Sequence, residues 1–305
     1  MKRFALALLL AGMALASCTD PLPRAGSAPP TRPVQPHVTE PEPSAASAEL
    51  AAYYRRLESD QVARGLMRTD GGGPDTPFTA DDLVRDFETL VFSDEYQRGA
   101  GSGGRLNRWA APVRLGLEFG PSVSEARRKQ DRSAISAYAS RLARVTRHPV
   151  STVERGANFH VLIVGEDDKA FVAQRARELL PQLTRADTAL LMDLPRQYYC
   201  LVLSVPNPGT FTHSAAIALI RDEHAGLMRE SCIHEEIAQG LGVPNDSPRA
   251  RPSIFNDDDE FALLTAHDEM ILKMLYDPRL KPGMTAEQAR PIAQTIAQEL
   301  MGGSS

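Results

Sequence analysis

The spacing of apolar side chains divides the chain into an unpatterned front and a well-patterned remainder. Between Glu49 and Arg68, Leu50, Tyr53, Tyr54, Leu57, Val62, Leu66 and Met67 recur at threes and fours, which predicts an amphipathic helix. The stretch "TDGGGPDTPFT" breaks the pattern with Gly and Pro. Thr79 then caps a second helix, with Asp81 and Asp82 in its first turn and Leu83, Phe87, Leu90 and Val91 along it. "GAGSGG" (99–104) predicts another break. "VRLGLEF" (113–119) alternates apolar and polar positions as a strand does, and a long helix over 122–146 follows, capped by Ser122 or Ser124. "NFHVLIVG" (158–165), "YYCLVLSV" (198–205) and "HSAAIALIR" (213–221) read as buried strands. "KAFVAQRARELLPQL" reads as a helix interrupted at Pro181. Helices are then expected over Ala225–Leu241 and Phe261–Tyr276, and a last one after a Thr285 cap. Strands and helices alternate before helices take over. That order predicts an α+β fold with one mixed sheet of about four or five strands. A single domain is expected over 49–305: a helical part at 49–104, a core at 105–284 and a terminal helix at 285–305.

The first residues follow a different logic. "MKRFALALLLAGMALASC" has a basic start at Lys2 and Arg3, an apolar run from Phe4 to Leu15, and small residues before Cys18. The apolar run is too short for a stable span, which predicts a secretory signal over 1–17. Leu15-Ala16-Ser17-Cys18 resembles a bacterial lipobox. That resemblance implies cleavage before Cys18 and acylation of this cysteine, giving several chains where one would anchor only weakly. Residues 18–48, with Cys18 at their head, are rich in Pro, Ala and Ser and nearly devoid of large apolar side chains, so they read as a disordered tether. The expected location is the cell envelope, lipid-anchored and facing the periplasm. Thr19, rather than Asp, after Cys18 favours the outer membrane by analogy with enteric lipoproteins.

Composition adds little. An apolar share of 42% and a charged share of 24% are ordinary for a folded soluble domain. The formal charge is -5, and loss of Lys2 and Arg3 with the signal leaves 32 basic residues against 39 acidic ones. With no basic stripe, no nucleic-acid partner is expected. The expected partners are membrane lipid, through Cys18, and an envelope protein or peptide. Cys200 and Cys232 are the pair that one disulfide needs in an exported chain, with two buried free thiols as the alternative.

The candidate chemistry lies in "SCIHEEIAQGLGVPND", Ser231–Asp246. His234-Glu235 opens like the zinc-protease pattern H-E-x-x-H, whose two histidines must stand four apart on one helix face. The partner position is Ala238, so that register fails. One residue later, the spacing resembles the metzincin pattern H-E-x-x-H-x-x-G-x-x-H. Glu236 then stands at the general-base position and Gly242 at the turn, while Glu235, Gln239 and Asn245 replace the three histidines. Zn²⁺ favours imidazole and thiolate, so this set of a carboxylate and two amides should hold it poorly, and neither metal nor cofactor is expected. Glu235 and Gln239 could instead hydrogen-bond each other at i and i+4. The resemblance implies a zincin-like fold whose strand 213–221 is the edge along which a peptide would lie. Asp268 falls on the apolar side of the 261–276 helix, so its carboxylate could face Glu236 as a second acid or base. Met270, Met274 and Met284 are candidates for a methionine turn, though core methionines are the default. His234 is expected to be structural, and Asp257-Asp258-Asp259-Glu260 a solvated loop.

"RGLMRTDGGGPDTPFTADDL", "RWAAPVRLGLEFG", "EEIAQGLGVPND" and "LTAHDEMILKMLYDPRLKPGM" together resemble a family of bacterial lipoproteins, domain-of-unknown-function family 2927. The resemblance implies an exported domain built round E-E-x-x-Q-x-L-G and brings no activity with it. The expected function is therefore non-catalytic binding or scaffolding on a degenerate protease fold. The alternative is a hydrolase, cleaving peptide or glycan, with Glu236 as general acid or base.

Overall fold

The structure is a computed structural model that describes residues 42–93, 104–207, 209–256 and 258–302. Residues 1–41, which hold the expected signal, Cys18 and most of the expected tether, lie outside the described residues, as does most of the "GAGSGG" break.

Among the described residues there are eight α-helices and one mixed sheet of five strands. The helices are α1 (Ala45–Ala63), α2 (Ala80–Phe92), α3 (Glu125–Thr146), α4 (Lys169–Leu179), α5 (Arg185–Met192), α6 (Gly226–Gln239), α7 (Ala266–Leu275) and α8 (Ala286–Gly302). The strands are β1 (Val113–Phe119), β2 (Val150–Val153), β3 (Phe159–Val164), β4 (Cys200–Pro206) and β5 (His213–Arg221), in the order β2-β1-β3-β5-β4. The first four in that order run parallel, and β4 lies antiparallel on β5, with Leu201 opposite Leu219.

Alternation along the central strands sends side chains into two cores. Phe159, Val161 and Ile163 of β3 join Ala216, Ala218 and Ile220 of β5 against the large helical layer, which includes Phe87, Leu142, Ile237 and Leu272. Leu162, Val164, Ile217 and Leu219 face the other way, onto Val172 and Ala176 of α4 and Leu191 of α5. Both faces of β3 and β5 are therefore covered, which is why these strands read as continuous apolar runs.

Several expectations shift. The strand 213–221 is β5, an interior strand, and the edge belongs to β4. A short hairpin carries the chain from β4 back beside it, so the later strand inserts next to β3. The four-residue β2 was not foreseen, since so short a segment carries no period. Beyond Pro181 a separate helix, α5, starts at a Thr184–Asp187 capping box. α1 begins at Ala45 under a Ser44 cap, inside the Pro/Ala-rich stretch assigned to the tether. It ends before Gly65, and Arg68 instead bridges to Phe261. That bridge keeps 261–264 out of the helix predicted there, and α7 starts only after Thr265.

Candidate functional site

Helix α6 carries the motif, and both of its ends are held by other elements. Its N-terminus has no side-chain cap of its own. Glu58 of α1 reaches over and accepts the Met228 N–H at 2.9 Å, satisfying a donor that the first turn leaves open. In the same turn, buried Arg229 donates through Nε to Asp131 of α3 at 2.9 Å and through Nη1 to the Arg221 carbonyl at 3.1 Å. At the other end, Trp109 Nε1 donates to the Gly240 carbonyl (2.8 Å) and the Tyr276 hydroxyl to the Leu241 carbonyl (2.9 Å). Gly242 then turns the chain at φ +127°, where a Cβ would stand 2.4 Å from the Asn107 carbonyl oxygen. Only glycine fits both that dihedral and that contact.

The face of α6 formed by Ser231, Glu235, Glu236 and Gln239 lines a cavity of about 1370 Å³. Five successive residues of β4, Val202–Pro206, line it too. Side chains alternate between the faces of a strand, so an unbroken run means that the cavity follows the strand's edge. Among the described residues β4 pairs in the sheet with β5 alone, so its outer-edge backbone groups are not used there. The remaining wall comes from α5 and the segment after it, including Leu183, Leu190 and Tyr198, and from Ile254, Asn256 and Phe261. Cys200 of β4 and Cys232 of α6 are joined as a disulfide with their Cα atoms 5.8 Å apart, which pins the edge strand to the motif helix. The Cys200 side of this link lines the cavity.

The lining carries six carboxylates (Asp187, Asp193, Glu235, Glu236, Asp246 and Asp259) and neither Lys nor Arg among the described residues. Some of that charge is balanced nearby: Lys169 pairs with Asp193 at 2.8 Å, and Asp187 caps α5. Glu236 is buried, and a carboxylate oxygen of it lies within 4.8 Å of one from Glu235 and of Cys200 Sγ.

The structure gathers some of the sequence candidates and separates others. Glu235, Glu236, Gln239 and Gly242 meet at the cavity. The Gln239 amide donates to Asp246 at 2.8 Å. Asn245 lies outside the lining, and its amide donates to the carbonyls of Thr89 and Asp246. The three positions that would carry ligands in a metzincin are thus not gathered round one point. Asp268 also departs from the expectation. It is fully buried, away from the cavity, and accepts hydrogen bonds from Thr265 N and Oγ1, Ser253 Oγ and Ile254 N. It is the N3 residue of the α7 capping box and does not share the cavity lining with Glu236.

His234 stacks flat on Tyr138, with ring centroids 4.0 Å apart, and its Nδ1 accepts the Leu264 N–H. Burial, helped by nearby Arg141, holds its pKa down at about 4, so it is a neutral structural histidine. Met274 is wholly buried in the main core. Two cavity residues had no sequence signal pointing to them. Asp259, in the acidic run read as solvated, accepts from Gln61 of α1 and lines the wall. His213 lines the cavity beside Trp109, and burial lowers its pKa to about 4. Both of its ring nitrogens are screened from solvent and make no hydrogen bond among the described residues.

The fold and site define a mixed α/β domain with an acidic cleft between an edge strand and a helix that carries E-E-x-x-Q. The chain belongs to the family described as Protein of unknown function (DUF2927), which it matches over residues 80–295. No curated protein and no solved structure matches it.

Proposed function

We propose that this is a lipid-anchored cell-envelope protein whose folded part holds an extended polypeptide in the cleft between β4 and α6 without cleaving it. The observation that carries the reading is the free side of β4 running along the cavity opposite Glu235 and Glu236. An added strand would gain main-chain hydrogen bonds from that edge, and its side chains would enter the apolar and acidic wall. The lining holds six carboxylates and, among the described residues, no lysine or arginine, a balance that favours a basic chain over an acidic one. The zincin-like ancestry expected from the motif spacing is supported by Glu236 and Gly242 in place, and the scattered Asn245 supports loss of the metal. The lipobox-like Leu15-Ala16-Ser17-Cys18 is what supports attachment through Cys18; no described helix is long and apolar enough to cross a membrane.

The test is fluorescence anisotropy of the full chain with labelled extended peptides that differ only in Lys, Gln or Glu at alternate positions. The Lys peptide should bind, and Glu235→Lys should weaken it at least tenfold. If none of the three binds, the reading is wrong. Cys18→Ser should move the protein out of the membrane fraction, and its retention there would remove the lipid anchor.

One observation favours a second reading, in which the protein is a hydrolase. The buried Glu236 carboxyl lies beside that of Glu235, and two close carboxyls can divide into acid and base. A peptide- or glycan-cleaving activity that disappears in Glu236→Ala, with the fold kept, would establish it.

A further inference from the structure

We propose that opening the Cys200–Cys232 disulfide creates a divalent-metal site, in which the freed thiolates join the carboxylates of Glu235 and Glu236. The proposal is independent of what occupies the cleft. Cys200 Sγ and one carboxylate oxygen each from Glu235 and Glu236 already lie within 4.8 Å of one another. Ligand atoms round a tetrahedral zinc ion, with bonds of about 2.0–2.3 Å, stand roughly 3.3–3.8 Å apart, so a small inward movement would complete the set. Cys232 lies three and four residues before the two glutamates on α6, hence on the same side of the helix. As the bonded neighbour of Cys200, it is placed to supply the fourth ligand.

In the closed disulfide neither sulfur is a thiolate, and two carboxylates alone are a poor match for a borderline-soft ion. Reduction changes the donor set to two sulfurs and two oxygens, which suits Zn²⁺ or Co²⁺. The chemistry balances with a dithiol as reductant. Its two thiols close to a disulfide, two electrons break the Cys200–Cys232 bond, and two protons leave both cysteines as thiols. The metal then displaces those protons to solvent. A second feature prepares Cys232 for release. The imidazole of His224 is wholly buried, with Nδ1 3.6 Å from Cys232 Sγ and Nε2 without a hydrogen bond among the described residues. A freed Cys232 thiol therefore meets a neutral acceptor and not a bare apolar wall.

The full chain is reduced with dithiothreitol, desalted without oxygen and titrated with Co²⁺, while an untreated sample receives the same metal. The reduced chain should bind one ion with a thiolate-to-cobalt charge-transfer band, and the disulfide form should show none. Glu235→Gln and Glu236→Gln should each weaken binding at least tenfold. Cys232→Ser keeps Cys200 and both glutamates, so it should show a weaker single-thiolate band with no reductant. One equivalent bound before reduction, a reduced chain that melts or stays metal-free, or unchanged affinity in both glutamine variants overturns the proposal. So does a folded Cys232→Ser chain without the band.

Discussion

Gly242 shows how one residue can hold the motif in register. Its φ of +127° and the 2.4 Å from a would-be Cβ to the Asn107 carbonyl oxygen mean that even a methyl group must move backbone. Gly242→Ala should cost on the order of 3 kcal/mol, read as a lower urea midpoint at unchanged slope, because strain and overlap add there. A loss under about 0.5 kcal/mol would mean that the turn can relax. This glycine was legible from the motif spacing, as were Glu235, Glu236 and Gln239. Asn245 and Asp268 were misplaced for separate reasons. Spacing fixes direction along a helix, but Asn245 lies past the turn, where the backbone sends its amide to Thr89. Asp268 was legible in another way: Thr265-x-x-Asp268 is a capping box, and apolar neighbours said only that the carboxylate was buried, not what it bonded.

At the level of elements, the cleft depends on where α6 is pinned. Glu58 caps its first turn from α1, so Glu58→Ala should lose about 1 kcal/mol, as removal of an N-cap does. Arg229 and Asp131 are a buried pair beneath the same turn. Arg229→Met strands the Asp131 carboxylate and should cost about 3–5 kcal/mol, whereas adding Asp131→Leu should return part of it. Chemical unfolding of the two single variants and the pair measures this, and a double variant no better than Arg229→Met alone would contradict the explanation. The long elements were legible because their periods span several turns or a fully buried strand. β2 was too short to show a period, and the edge position of β4 depends on which strand inserts beside β3. That is a pairing between distant segments and leaves no local mark. The start of α5 did leave one, in the Thr184-x-x-Asp187 capping pair just past Pro181.

Across the whole molecule, buried histidines of opposite character set how stability follows pH. His213 and His234 are held at about 4 and His224 well below its ordinary value, by burial, helped by Arg141 at His234 and by Arg221 and Arg229 at His224. Unfolding lets them take up protons near their ordinary value of about 6.5, so stability falls as pH drops below that value. His267 works in the other direction. Burial alone would lower its pKa, but Asp268 and Asp86, at 3.8 and 3.3 Å from its ring nitrogens, raise it to about 9. Its contribution is therefore complete below about 6.5, where folded and unfolded forms are both protonated, and fades as pH rises toward 9 and above. A shift of this size corresponds to about 3 kcal/mol at most. Urea unfolding of the disulfide-bonded chain from pH 5 to 9.5 should show a maximum near neutrality with losses on both sides. His267→Gln should lower the curve as a whole, since Asp86 and Asp268 lose their cation, and should flatten only its alkaline limb. An alkaline limb as steep in the variant as in the parent would place that loss elsewhere in the molecule.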